Sequence, residues 1–78
     1  MTVTIARTLD CKGLSCPMPI VKTAQAIRTM TAGDLIEVLA TDPGSVKDFA
    51  AWSKATGNEL VETSQTAGVF SFVLMKKR

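Results

Sequence analysis

The sequence predicts a two-layer α/β sandwich of the α+β class with the element order β-α-β-α-β-β. Prolines stand at two points where helices would begin, apolar residues at helical spacing follow each, and short apolar segments separate them. Two strand–helix–strand connections imply right-handed crossovers and parallel strands with both helices on one face. A final hairpin adds an antiparallel pair, so the sheet is mixed, four-stranded and open to solvent on its other face.

The first strand is predicted to run from Val3 to about Asp10, because β-formers occupy most of that stretch. A loop from Asp10 to Ser15 follows, with Gly13 as its sharp bend. The first helix is predicted from Pro17 to Met30, with Gly33 as its stop. Its apolar residues at helical spacing are Ile20, Val21, Ala24 and Ile27.

The apolar run from Leu35 to Ala40 predicts a strand buried on both faces or lying between parallel neighbours. Asp42 is the expected N-cap of the second helix, with Pro43 at the first helical position. That helix should end near Gly57. Its predicted inner residues are Val46, Phe49, Ala50 and Trp52. Strands 60–65 and 69–76, joined by a turn at 66–68, complete the sheet, with alternating apolar residues on the last strand.

Composition narrows the class of protein. The chain has 78 residues, 46% of them hydrophobic and 21% charged, which predicts one globular domain over residues 1–78. Apolar stretches are too short for a membrane span, and no secretory signal is visible. Two cysteines without a signal indicate free thiols in the cytoplasm. A net charge of +2 does not favour nucleic-acid binding, and we expect a monomer without metal or cofactor.

Cys16 is the candidate reactive residue. It precedes Pro17, so it is predicted to be the extended N-cap of the first helix, where the helix dipole favours the thiolate by less than about one pKa unit. Pro17 and Pro19 remove two backbone donors, which leaves the N–H of Met18 as the nearest one in that turn. Lys12 and Lys22 are candidates for a further cationic contribution.

The chain contains no histidine, which excludes a Cys-His dyad, a Ser-His-Asp triad and a histidine-ligated zinc site within it. A thiolate at a helix start can still attack S–S or S–SO₃ bonds, and that exchange needs no general base. Exchange is fastest when the pKa of the attacking thiol lies near the ambient pH. The residues are therefore compatible with sulfur transfer in both directions.

The stretch from Leu9 to Pro19 (LDCKGLSCPMP) resembles the signature of the TusA/SirA/YedF family of small sulfur carriers with a Cys-Pro-x-Pro motif. The similarity extends over essentially the whole chain. It implies a sandwich like the C-terminal domain of translation initiation factor three and a sulfurtransferase-type protein that carries sulfur as a persulfide on Cys16. Motif positions Asp10, Gly13, Pro17 and Pro19 would shape the loop and the helix start, and Met18 beside the thiol would suit a docking surface.

The resemblance also implies partners. A rhodanese or a cysteine desulfurase would donate the sulfur, and a DsrE-like or other protein would accept it. The sequence leaves open whether the sulfur serves tRNA thiolation, cofactor assembly or sulfur oxidation, and whether the cargo is a persulfide or a thiosulfonate.

Two other functions are compatible with the residues. Cys11 and Cys16 could form a reversible disulfide in a thiol redox protein, and Cys11 could alternatively resolve a persulfide or simply pack under the loop. A binding module for RNA or protein is the third hypothesis. Against RNA, all the large aromatic residues fall at core-like positions, so none is left as a stacking platform. They are Phe49, Trp52, Phe70 and Phe72.

Overall fold

The computed structural model describes residues 5–15 and 17–77. Within them the chain follows the predicted order of elements. These are β1 (Ile5–Cys11), α1 (Met18–Ile27), β2 (Leu35–Ala40), α2 (Ser45–Thr56), β3 (Glu59–Thr66) and β4 (Val69–Met75). The predicted start of the first strand at Val3 lies outside the described residues. Neither helix of the described part has the length and apolar character needed to cross a membrane.

The four strands form one mixed sheet in the order β1-β2-β4-β3. β1 pairs with β2 in parallel, whereas β4 runs antiparallel to both β2 and β3. β2 and β3, which the second crossover connects, run in the same direction but are not paired, because β4 lies between them. The prediction that the second crossover joins paired parallel strands is therefore wrong. Phe72, Val73 and Leu74 make β4 the more apolar strand of the hairpin, so it lies inside the sheet and the polar β3 forms the edge.

Both helices cover one face of the sheet, as predicted. The core on that face is built around Phe49 of α2, whose ring stacks on Phe72 of β4 at a centroid distance of 4.5 Å. Trp52 meets the edge of Phe49 at 6.4 Å. In β2 only alternate residues are buried, since the strand has a covered and an open face. The prediction that β2 is buried on both faces or lies between parallel neighbours is therefore wrong.

The predicted inner face of each helix is confirmed only in part. Ile27 and Phe49 are buried, and Ile20 and Trp52 are partly buried against the core, but other predicted residues are exposed. Val21 and Val46 are each 39% exposed, and Ala50 is also exposed. The residues that α1 buries are Pro19, Thr23, Ala26 and Ile27, and those that α2 buries are Ser45 and Phe49. The Thr23 hydroxyl donates to the Pro19 carbonyl at 2.7 Å, which satisfies a polar group that hydropathy would place outside.

The helix ends differ from the predictions for local reasons. α1 stops at Ile27, and the amide of Met30 bonds back three residues to Ile27 in a tighter turn. Gly33 has a φ of +94°, but its N–H donates to the Lys76 carbonyl instead of capping the helix. α2 starts after Gly44, so Asp42 is not its N-cap; the Asp42 carboxylate accepts from the Gly44 N–H in a preceding turn. The predicted end of α2 at Gly57 is confirmed.

The predicted hairpin turn is also confirmed. Ala67 and Gly68 have φ values of +51° and +80°, the pattern of a type I′ turn. An alanine in the left-handed region carries a steric penalty that asparagine tolerates better.

Ala67→Asn should raise the free energy of unfolding by about 0.5–1 kcal/mol, because it relieves the left-handed strain. Denaturant titration of the variant checks this. The matched control is Ala55→Asn on the exposed surface of α2, which should instead destabilise by about 0.5 kcal/mol through helix propensity. A hairpin variant no more stable than the parent would contradict the assignment of strain to Ala67.

Candidate functional site

The loops that follow β1 and β2 lie together at one edge of the sheet. Because the two strands are parallel, Cys11 is the register partner of Ala40 and both strands end side by side. Each strand leads through a short loop into a helix, β1 into α1 and β2 into α2. A hydrogen bond of 2.9 Å from the Gly13 N–H to the Thr41 hydroxyl oxygen ties the two loops together. Open α/β sheets commonly bind ligands at this edge.

The loop after β1 has a fixed course. The Leu14 N–H donates to the Cys11 carbonyl at 3.2 Å, which closes a turn with Gly13 at φ +81°. Such a turn requires a positive φ at its third residue and so favours glycine there. The Asp10 carboxylate accepts from the Lys12 N–H at 3.0 Å. Asp10 and Gly13 therefore shape the loop that leads to residue 16.

Cys16 itself lies outside the described residues. Its neighbours Ser15 and Pro17 are both exposed, and Met18 is 41% exposed. The N-cap of α1 is Pro17, whose carbonyl accepts from the Val21 N–H at 3.0 Å. The prediction that Cys16 is the cap is thus wrong by one residue. No side chain caps α1, since proline carries no side-chain acceptor.

The first turn of α1 offers no free N–H at residues 17–19. Two of these residues are prolines, and the Met18 N–H donates to the Ser15 carbonyl at 2.8 Å. The prediction that Met18 leaves a free donor is therefore wrong. Pro19 is on the buried side of α1, whereas Pro17 and Met18 are exposed. Residues 17–19 therefore offer an anion the positive end of the helix dipole but no free backbone N–H.

Cys11 is buried in the core with 0% of its surface exposed. Burial raises the pKa of the Cys11 thiol above its ordinary value. The positive charge of Lys22 lowers this pKa, and the negative charge of Asp10 raises it. The thiol is therefore protonated at neutral pH and enclosed by apolar neighbours. A reversible disulfide with Cys16 would require the end of β1 to open, which disfavours the redox hypothesis.

Lys12 and Lys22 are both exposed. Lys22 lines a groove together with Arg7 and Leu9 of β1, and its charge opposes the rise in the pKa of Cys11. The described residues do not locate either amine relative to the sulfur of Cys16, and a role for them in activating it stays a prediction.

Thr41 is the site residue that sequence reasoning missed. It is the residue directly after β2 and supplies the acceptor for the Gly13 amide. A polar residue that follows the carboxyl end of a central parallel strand is the signal that could have revealed it.

The open face of the sheet is acidic. The strand register places Asp10 of β1, Glu37 of β2, and Glu59 and Glu62 of β3 on this face. Such a surface repels phosphate, which disfavours the RNA-binding hypothesis for this face. Among the residues that the structure describes, no group of three or more potential metal ligands comes together.

Comparison with known proteins defines the family. Residues 7–76 match the family model described as sulfurtransferase TusA. The chain is 48% identical to the sulfur carrier protein TusA of Allochromatium vinosum over 68 residues, which covers 87% of this chain and 90% of that protein. It is 43% identical to the putative sulfur carrier protein YrkI of Bacillus subtilis, covering 90% of this chain and 93% of that protein.

The fold has a solved counterpart. A crystal structure of a SirA-like protein from Desulfitobacterium hafniense superposes with a TM-score of 0.79, covering 92% of this chain and 99% of that one, at 22% sequence identity. This likeness concerns the fold alone. Together, the fold and the family match confirm the predicted class, a small sulfur-carrier protein built as an α/β sandwich. The chain belongs to the sulfurtransferase TusA family.

Thr41→Val should remove the acceptor of the Gly13 amide and lower the free energy of unfolding by about 0.5–1.5 kcal/mol. Native-state hydrogen exchange of the Gly13 amide should accelerate, because the bond that protects it is lost. Thr63→Val, at an exposed position on β3, is the control that should leave Gly13 exchange unchanged. Equal Gly13 exchange in the parent and the Thr41 variant would show that the loops are not coupled through this bond.

Burial of Cys11 predicts slow modification of its thiol. In a Cys16→Ser variant, a chromogenic aromatic disulfide should react slowly with the native protein and rapidly after unfolding in guanidinium chloride. Because burial raises the pKa of Cys11, the native rate should stay low through neutral pH and rise only above the ordinary thiol range. Rapid reaction of the folded variant at neutral pH would contradict burial of this thiol.

Proposed function

We propose that this chain accepts sulfane sulfur on Cys16 as a persulfide and relays it from a donor protein to an acceptor protein. The observation that carries the proposal is a Cys-Pro-x-Pro motif at the start of α1 in a member of the TusA family. The exposure of Ser15, Pro17 and Met18 supports it, because a carrier must present its sulfur to the active sites of other proteins.

The transfer needs only thiol chemistry. The Cys16 thiolate attacks the outer sulfur of a donor persulfide; a new S–S bond forms, the donor's S–S bond breaks, and the donor cysteine leaves as a thiolate. In the second step an acceptor thiolate attacks the outer sulfur, and Cys16 leaves with its electron pair. The sulfur atom is transferred without net oxidation or reduction, so the chain acts as a sulfurtransferase without a general base or a cofactor.

The first turn of α1 suits a reversible carrier. A thiolate held by several amide donors would be a stable anion and hence a weaker nucleophile. Here residues 17–19 supply no free amide, and a helix start contributes only about 0.3–1 kcal/mol. Cys16 would thus ionise partly near neutral pH, attack donors readily and still yield its outer sulfur to an acceptor.

The partners would be proteins with thiol or persulfide active sites in the cytoplasm. A rhodanese or a cysteine desulfurase would supply the sulfur, and a DsrE-like protein would take it. The exposed part of the first turn, Pro17 and Met18, would make the first contact with them, since the polarizable Met18 side chain adapts to different apolar surfaces.

Cys16→Ser should fold normally and lose all sulfur loading, whereas Cys11→Ser should keep most of it. The measurement is mass spectrometry of the intact protein after incubation with thiosulfate or polysulfide, followed by peptide mapping. If the protein carries sulfur on Cys16, the added sulfur should be found on the peptide that contains this residue. Loss of two hydrogens without added sulfur in the parent chain would instead support the redox protein and overturn the proposal.

A further inference from the structure

A groove runs between β1 and α1 on the helix side of the sheet. It has a volume of about 210 Å³. Its lining residues are Arg7, Leu9, Lys22, Gln25, Ala26 and Thr29. We call it the basic groove, because both of its charged residues are cations. Leu9 and Ala26 contribute apolar surface between them, so the groove combines charge with an apolar lining.

In the part of the chain that the structure describes, neither cation of the basic groove forms a salt bridge with a carboxylate. Among residues 5–15 and 17–77, the salt bridge is between Lys77 and Glu59, on the far side of the sheet. Arg7 donates one hydrogen bond to the neutral hydroxyl of Thr29 at 3.1 Å, and Thr29 in turn donates to the Ala26 carbonyl. The guanidinium is therefore held in place by a neutral partner while its positive charge stays uncompensated.

The groove lies beside an edge strand. Within residues 5–15 and 17–77, β1 pairs with β2 and with no other strand, so every second residue of β1 directs its backbone N–H and C=O away from the sheet. Edge strands often carry prolines or lysines that block further pairing, and β1 contains neither. Both edge strands have a bulge, but at different places. In β1 it lies at the start, between Ile5 and Arg7, and the pairing is regular from Arg7 to Cys11. In β3 it lies between Leu60 and Glu62, and that strand carries Glu59 and Glu62.

We propose that β1 and the basic groove bind an extended acidic segment of a partner protein by strand addition. The segment would pair its backbone with the free edge of β1, and its alternate side chains would point into the basic groove. Carboxylates at these alternate positions would reach Arg7 and Lys22. This goes beyond the sulfur chemistry and does not depend on which residue holds sulfur.

A second copy of this chain fits the groove less well. If β3 of another copy continued the sheet at β1 with the helices of both copies on the same side, its Glu59 and Glu62 would lie on the open face. The side chains it would direct toward the basic groove are Leu60, Thr63 and Gln65, which carry no charge. The charge of the groove therefore favours a different, acidic strand.

The test uses nuclear magnetic resonance of the ¹⁵N-labelled chain with a synthetic peptide of alternating valine and glutamate. We expect shifts at the amides of β1 and of the C-terminal half of α1, and none along β3. A peptide with lysine in place of glutamate should not bind. Lys22→Glu should weaken binding about tenfold or more, since it replaces a charge-assisted contact by repulsion. Arg7→Glu should act in the same direction.

Lys54→Glu is the matched control, because it makes the same charge change at an exposed position on the other helix. It should leave peptide affinity unchanged, and the dispersed spectra of all three variants would show that they are folded. The inference is overturned if the glutamate peptide does not bind, if the lysine peptide binds as well, if the shifts fall on β3 or the open face, or if Lys22→Glu binds like the parent.

Discussion

The parallel pairing of β1 with β2 is the constraint on which the rest of the structure depends. It brings the ends of both strands to one edge of the sheet and forces each following loop to turn there into a helix. The bond between Gly13 and Thr41 fixes the spacing of the two loops. The chain thereby places Pro17, Met18 and Pro19 at the edge of the sheet where β1 and β2 end.

A second constraint sets the layer structure. Within the hairpin, the apolar strand β4 lies between two neighbours, β2 and β3. β4 therefore enters the middle of the sheet and leaves the polar β3 at the edge. This arrangement puts Phe72 under Phe49 and completes the core, while the opposite face collects Glu37 and other carboxylates and stays uncovered.

Much of this could be predicted from the sequence. The number, order and type of the elements follow from apolar periodicity, and the Ala67-Gly68 turn follows from its position between two strands. The exact start of each helix could not be predicted. In both Cys16-Pro17 and Asp42-Pro43 the sequence favours the first residue as the N-cap and the proline as the first residue of the helix. In both places the helix begins later, after a turn closed by the backbone. Thr23 and Ser45 were missed as buried residues because they are polar. The order of the strands was missed because no local pattern encodes the insertion of β4.

The motif of the candidate site was visible in the sequence, but its polar surroundings were not. The sequence indicated Gly13 as the bend of the loop, and the family resemblance implied that Asp10 helps to shape it. The sequence could not reveal that the Met18 amide is engaged by Ser15, since that bond depends on the exact course of the turn. Nor could it decide whether Cys11 is available, because burial of a strand end is set by the packing of the helices above it.

The enclosed position of Cys11 has a consequence for a loaded carrier. A thiol only five residues away in the chain would be the natural candidate to attack a stored persulfide and discharge it as hydrogen sulfide. Packing at the end of β1 buries the Cys11 thiol and keeps it out of contact with solvent. On the proposed function, the lifetime of the cargo would then be set by meeting an acceptor, and premature leakage would be limited by how often the strand end frays.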